Sequence, residues 1–66
     1  MLSGRNQFKG TIKELKLGNI MAEVIVTVGN LEVAAAITRA SVERLGLRQG
    51  DTVTAVIKAT DVMIDK

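Results

Sequence analysis

The sequence predicts a mainly β fold: a small barrel of five strands with one short helix between the third and fourth strands. Apolar and polar residues alternate over several short segments, and turn-forming residues separate those segments. One stretch with helical spacing, residues 38–47, follows the third alternating segment. Residues 1–66 are expected to form a single domain, because a chain this short supports only one hydrophobic core.

The first predicted strand is long and changes phase along its length. One face contains Phe8, Gly10 and Ile12, and the other contains Leu15 and Leu17. A phase change within one strand indicates a bulge or sharp bend, which we place near Lys13-Glu14. Gly10 has no side chain and would allow another backbone to approach closely. Such a strand can curve around a small barrel.

The second and third strands form a predicted hairpin through Gly29-Asn30, since both residues tolerate positive φ. Their inward faces are Ala22, Val24, Val26 and Val28, then Leu31, Val33, Ala35 and Ile37. The fourth strand is predicted from Val53, Ala55 and Ile57, and the fifth from Val62 and Ile64. Thr60-Asp61 interrupts these last two strands.

The predicted helix is about two turns long and carries a signal at each end. Val42 and Leu45 are spaced for one helical face, Thr38 suits the N-cap, and Gly46 suits the C′ position. The order is therefore three strands, one helix and two strands, which is that of an OB-type barrel.

The composition favours a binding protein over an enzyme. The chain has no Cys and no His, which excludes disulfides, the common zinc sites and the usual nucleophile–base pairs. The Glu residues occur singly, mostly at outward positions, and no glycine loop of the phosphate-cradling kind is present. No apolar run is long enough to span a membrane and no secretion signal is evident, so we expect a cytoplasmic protein.

The hydrophobic content predicts self-association. Hydrophobic residues make up 47% of the chain, although a domain of 66 residues can bury only part of its surface. The net charge is only +2 and Phe8 is the single aromatic residue, so a nucleic-acid surface with stacking platforms is not expected.

Groups able to bind an anion occur in three places. They are Ser3, Gly4, Arg5 and Asn6; Thr38 and Ser41; and Lys58, Ala59 and Thr60. Each group alone has an ordinary explanation, such as a helix cap or a solvated lysine. Together, however, hydroxyls, backbone N–H groups, a guanidinium and an ammonium are the parts needed to hold a tetrahedral dianion.

Four segments resemble the molbindin family of small cytoplasmic molybdate-binding proteins. They are GRNQFKG, AEVIV, ITRASVERLGLRQGD and TAVIKATDVMI, and the resemblance extends over essentially the whole chain. It implies an OB-like five-stranded fold and homohexamers built as trimers of dimers. It also implies binding of molybdate or tungstate at subunit interfaces, as intact oxyanions without an organic cofactor, for intracellular storage, buffering or homeostasis.

The resemblance also assigns roles by position. Ser3 and Arg5 would be ligands, Gly4 and Asn6 would supply or shape backbone donors, and Thr38 and Ser41 would contribute from the helix mouth. Lys58 would be the second cation, with the peptide of Ala59 and Thr60 beside it. Two positions depart from the family motif: Gly4 replaces an alanine, and Ala59 replaces a serine and so lacks one hydroxyl donor.

Two alternatives remain open from the sequence. The first is an OB-type module that binds nucleic acid, which the lack of aromatic residues disfavours. The second is a purely structural oligomerisation domain, in which Arg5 and Lys58 form salt bridges between subunits.

Overall fold

A computed structural model of the protein describes residues 6–66 as one antiparallel sheet with a short helix. The elements are β1 (Asn6–Leu17), β2 (Met21–Val28), β3 (Leu31–Thr38), α1 (Arg39–Leu45), β4 (Thr52–Ile57) and a 3-10 turn (Ala59–Asp61). The sheet order is β3-β2-β1-β4. The mainly β class and the position of the helix are therefore as predicted.

Strand β1 lies at the centre of the sheet and pairs with two different partners. Its first half pairs with β4, from Asn6 opposite Ile57 to Thr11 opposite Thr52. Thr11 to Leu17 pair with β2, so that Thr11 has a partner on each side, and the register shifts between Ile12 and Glu14. The predicted bulge at Lys13-Glu14 is thus confirmed. It lets one strand bend between two pairings.

Gly10 lies where β1 passes closely over β2. A Cβ atom at this position would overlap the carbonyl oxygen of Thr27, so no larger residue fits without a shift of the backbone. The expectation of a close backbone approach at Gly10 is confirmed. The absence of a side chain allows the two strands to approach this closely.

The hairpin turn and both ends of the helix also agree with the sequence predictions. Gly29 has a φ of 60°, and Val28 pairs with Leu31 across the two-residue turn. Thr38 caps α1 by accepting a hydrogen bond from the Ser41 N–H at 3.1 Å. Gly46 ends the helix in the left-handed conformation, with a φ of 63°.

The core lies between the inner face of β2, the middle of β1 and one side of the helix. Its buried members are Ile12, Ala22, Val24, Val26 and Val42. The predicted inner face of β2 is confirmed. In β3, Val33, Ala35 and Ile37 pack against this core, but Leu31 is 65% exposed and its predicted inward position is wrong. Leu31 follows the turn directly, at the end of the edge strand β3.

The predicted fifth strand is not a strand in the structure. The 3-10 turn follows β4 directly, and residues 62–64 pair with no strand among residues 6–66. Met63 and Ile64 are exposed to 92% and 89%. The sheet of the described residues therefore has four strands and is unclosed, and the five-stranded barrel is not confirmed. Alternation predicts that a segment suits a strand, but a strand forms only where a neighbour accepts its backbone hydrogen bonds.

None of the helices within residues 6–66 has the length and apolar character needed to cross a bilayer.

Candidate functional site

The start of β1 and the end of β4 are hydrogen-bonded to each other at one end of the sheet. Asn6 and Ile57 form the terminal pair of the β1–β4 ladder. In addition, the side-chain amide Nδ2 of Asn6 donates a hydrogen bond to the Ile57 carbonyl at 3.1 Å. Ser3, Gly4 and Arg5, which the sequence assigns to an anion site, lie outside the described residues. The described part of that motif therefore consists of Asn6 alone.

Lys58 follows this terminal pair directly and is exposed. Its backbone is extended, and its carbonyl accepts a hydrogen bond from the Asp61 N–H at 2.9 Å, which closes the 3-10 turn. Ala59 and Thr60, also exposed, lie within that turn. The turn therefore holds the backbone of Lys58 while leaving its side chain in solvent.

Three ion pairs lie on the described surface, two across the sheet and one along the helix, and none of them includes Lys58. Across residues 6–66, the pairs are Lys13–Glu32, Lys16–Glu23 and Arg39–Glu43. The hydrogen bond and charge of the Glu32 carboxylate raise the pKa of Lys13 above its ordinary value. Lys58 takes part in none of these pairs, so no carboxylate among the described residues neutralises its ammonium group.

Thr38 and Ser41 form a hydroxyl pair at the start of α1. Thr38 Oγ1 accepts from the Ser41 N–H and donates to Ser41 Oγ at 2.8 Å. A hydroxyl has one proton to donate, so the Thr38 proton is used within the pair. Ser41 Oγ accepts in that bond, and its own proton can be donated to a ligand. This predicted pair is therefore brought together, with Ser41 as the outward donor.

A shallow depression of about 570 Å³ lies beside this hydroxyl pair. Its lining consists of Asn19, Ile20, Thr38, Arg39, Ala40 and Glu43. The Arg39 guanidinium donates to the Gly18 carbonyl at 3.3 Å and lies 3.8 Å from a Glu43 carboxylate oxygen. Arg39 is not among the site residues predicted from the sequence, although its place directly after the predicted N-cap Thr38 puts a cation beside the predicted donors. Its charge is balanced by Glu43, which reduces its pull on an anion.

The two described donor groups lie at opposite ends of the sheet. Thr38 pairs with Met21, whose neighbour Ala22 pairs with Leu17 at the far end of β1. Asn6 begins that same strand of 12 residues, and β3 and β4 form opposite edges of the sheet. The Thr38 group and the Lys58 group of one chain are therefore too far apart along the sheet to contact the same small ion.

Residues 6–66 contain no cluster of three or more His, Cys, Asp or Glu side chains that could hold a metal ion. The groups at both ends of the sheet are hydrogen-bond donors and cations. Such groups favour an anion as ligand.

Comparisons with known proteins agree on one family. The model of the TOBE domain matches residues 2–64. The chain is 48% identical over 64 residues to molybdenum-pterin-binding protein 1 of Clostridium pasteurianum, an alignment that covers 96% of this chain and 94% of the relative.

Two solved structures extend this similarity to the fold. A molybdate-binding protein from Sporomusa ovata superposes with a TM-score of 0.96 at 42% identity, covering 100% of this chain and 98% of that one. The cytoplasmic molybdate-binding protein ModG, in a form with molybdate bound, gives a TM-score of 0.84 at 38% identity. That match covers 89% of this chain and 43% of ModG.

Proposed function

This chain is a TOBE-domain protein of the molbindin family, and from that premise we propose that it binds molybdate or tungstate as an intact oxyanion. Relatives that match nearly its whole length are named for molybdenum or molybdate binding. The observation that carries the proposal is Lys58 directly after the terminal pair of the β1–β4 ladder, in no ion pair with another of residues 6–66.

The chemistry of the donor set suits an unprotonated dianion. Lys58 and Arg5 supply positive charge, and the Ser41 and Ser3 hydroxyls supply rotatable donors. A site without a carboxylate acceptor disfavours hydrogen phosphate, whose own proton would have no partner. Sulfate has the same charge and shape but is smaller, so donors spaced for the longer metal–oxygen bond fit it less well.

The site is completed by a second chain. Because the Thr38 group and the Lys58 group lie at opposite ends of one sheet, an ion contacts both only where two chains meet. Exposed apolar side chains, including Leu31, Met63 and Ile64, provide surface for such an interface. We extend this to a homohexamer built as a trimer of dimers, with oxyanions at the subunit interfaces.

The energetics are consistent with useful affinity. Hydrogen bonds to charged groups contribute ~1.5–3 kcal/mol each, and roughly five or six are available from the assigned residues. After desolvation and ordering, about 8 kcal/mol would remain, which corresponds to micromolar binding. Ala59 lacks the hydroxyl that the family motif places there. Its backbone N–H and Thr60 are therefore the donors to the ion on that side of the site.

The proposed role is oxyanion storage, buffering or homeostasis in the cytoplasm, without catalysis and without an organic cofactor. ModG, which has the same fold in part of its chain, is described as cytoplasmic. The absence of a nucleophile–base pair from the sequence supports binding rather than turnover.

Calorimetry with molybdate, tungstate, sulfate and phosphate, with the oligomer mass recorded in parallel, tests this function. We expect molybdate or tungstate to bind, and Arg5→Ala to remove nearly all binding while the assembly persists. Lys58→Ala should weaken binding more than the matched control Lys66→Ala, which changes a lysine at the end of the chain. Wild-type affinity in a folded Arg5→Ala protein, or no heat with any of the four anions, would refute the proposal.

A further inference from the structure

We propose that Asn6 is a positioning residue, whose side-chain amide holds the end of β4, and with it Lys58, against the start of β1. The inference rests on the proposed oxyanion function. It differs from the role that the family resemblance gives Asn6, which concerns nearby backbone donors. In this proposal the side chain itself acts, and it acts on the protein rather than on the ion.

The orientation of the Asn6 amide is determined by its partner. Nδ2 lies 3.1 Å from the carbonyl oxygen of Ile57. A carbonyl can only accept, so the nitrogen side of the amide must face it. The amide oxygen, which can only accept, cannot bond an unprotonated oxyanion. One Nδ2 proton is therefore used on β4, and the test below separates this role from a direct bond of the second proton to the ion.

The Asn6–Ile57 side-chain bond lies where the β1–β4 ladder is least stable. Asn6–Ile57 is the terminal pair between β1 and β4, and the two residues are 51 positions apart in sequence. Terminal pairs of a ladder open most readily. A side-chain bond at that position adds to the backbone ladder at the end where it opens first.

Both sequence neighbours of this pair are assigned to the anion site. Arg5 precedes Asn6, and Lys58 follows Ile57. On its other side, the Lys58 carbonyl is held by the Asp61 N–H at 2.9 Å. Lys58 thus lies between two backbone anchors, and the Asn6 amide stabilises the one that connects it to β1. Loss of that anchor lets Lys58 move away from the start of β1, which weakens the binding of an anion that Lys58 contacts.

The test is a double-mutant cycle with molybdate calorimetry on the full chain. Asn6→Ala should raise the Kd for molybdate roughly five- to tenfold, the effect of one hydrogen bond. Thr52→Ala, at the opposite terminal pair of the same ladder, is the matched control and should leave the Kd within twofold. In a Lys58→Ala background, Asn6→Ala should add less than twofold, because the side chain acts through Lys58.

The outcomes separate this inference from the proposed function. If wild type binds neither molybdate nor tungstate, the proposed function fails and this inference fails with it; if it binds only tungstate, the same cycle is run with tungstate. If wild type binds and folded Asn6→Ala binds equally well, only this inference is overturned. Equal losses in both backgrounds would also overturn it, since Asn6 would then act independently of Lys58. Should Asn6→Ala not fold, Asn6→Thr provides the same test with a residue that favours strands.

Discussion

Replacing Gly10 with alanine should destabilise the protein by about 2 kcal/mol, because the added Cβ has no room. It would overlap the Thr27 carbonyl oxygen and lie 2.9 Å from side-chain carbons of Val26 and Val28. Overpacking costs ~1–3 kcal/mol, and the upper end applies here since a backbone oxygen in a paired strand cannot move aside easily. Reduced freedom of the unfolded chain offsets ~0.4–1 kcal/mol of this cost.

The assay is thermal unfolding followed by circular dichroism, supported by urea titration. For a domain of this size each kcal/mol moves the Tm by roughly 4–8 °C, so we expect a fall of about 8–16 °C for Gly10→Ala. Gly29→Ala is the control: its φ of 60° disfavours alanine, but nothing lies within 4 Å of the added carbon. It should cost only about 1 kcal/mol. A Tm for Gly10→Ala equal to or above that of the control would refute the packing argument.

Three further predictions concern the core, the helix cap and a surface ion pair. Val24→Ala removes two buried methyl groups, so urea unfolding should show a loss of about 2–3 kcal/mol; a loss under 1 kcal/mol would mean that the core collapses around the gap. Thr38→Ala should cost ~1 kcal/mol and Thr38→Ser much less, because serine keeps the acceptor for the Ser41 N–H; equal Tm values for the two variants would contradict the cap. Glu32 raises the pKa of Lys13. The stabilising effect of the Lys13–Glu32 pair is therefore present at neutral pH and is lost as the pH rises through the Lys13 pKa. The Tm difference between wild type and Glu32→Gln should therefore narrow above pH ~10, and a constant difference would argue against this pairing.

The parts of the fold that sequence predicts well are those fixed by neighbouring residues. The alternation of β2, the phase change at Lys13-Glu14 and the cap at Thr38 each depend on a few adjacent positions, and all three are present. Residues 62–64 show the limit of this reasoning. Their apolar pattern is suited to a strand, yet pairing requires a free edge in the right place, which no local pattern reveals.

In the candidate site too, local contacts could be predicted from the sequence and long-range contacts could not. The Thr38–Ser41 pair is local and could be predicted from its spacing of three residues. The Asn6–Ile57 bond joins positions 51 apart, so the sequence identifies both residues but not their contact. The separation of the Thr38 and Lys58 groups likewise depends on strand order, which composition and spacing do not encode.

The placement of β1 between β2 and β4 has a consequence for the order of folding. Only two residues connect β2 to β3, whereas the terminal pair of β1 and β4 closes a loop of some fifty residues, at a larger entropic cost. Distant pairings form late and slowly, so the meander of β1, β2 and β3 should assemble first and β4 should dock last. The Lys58 end of the molecule is then also the first to open in native-state fluctuations. Amide hydrogen exchange should accordingly be fastest in β4 and slowest in β2, and an oxyanion bound at that end should slow exchange in β4 most.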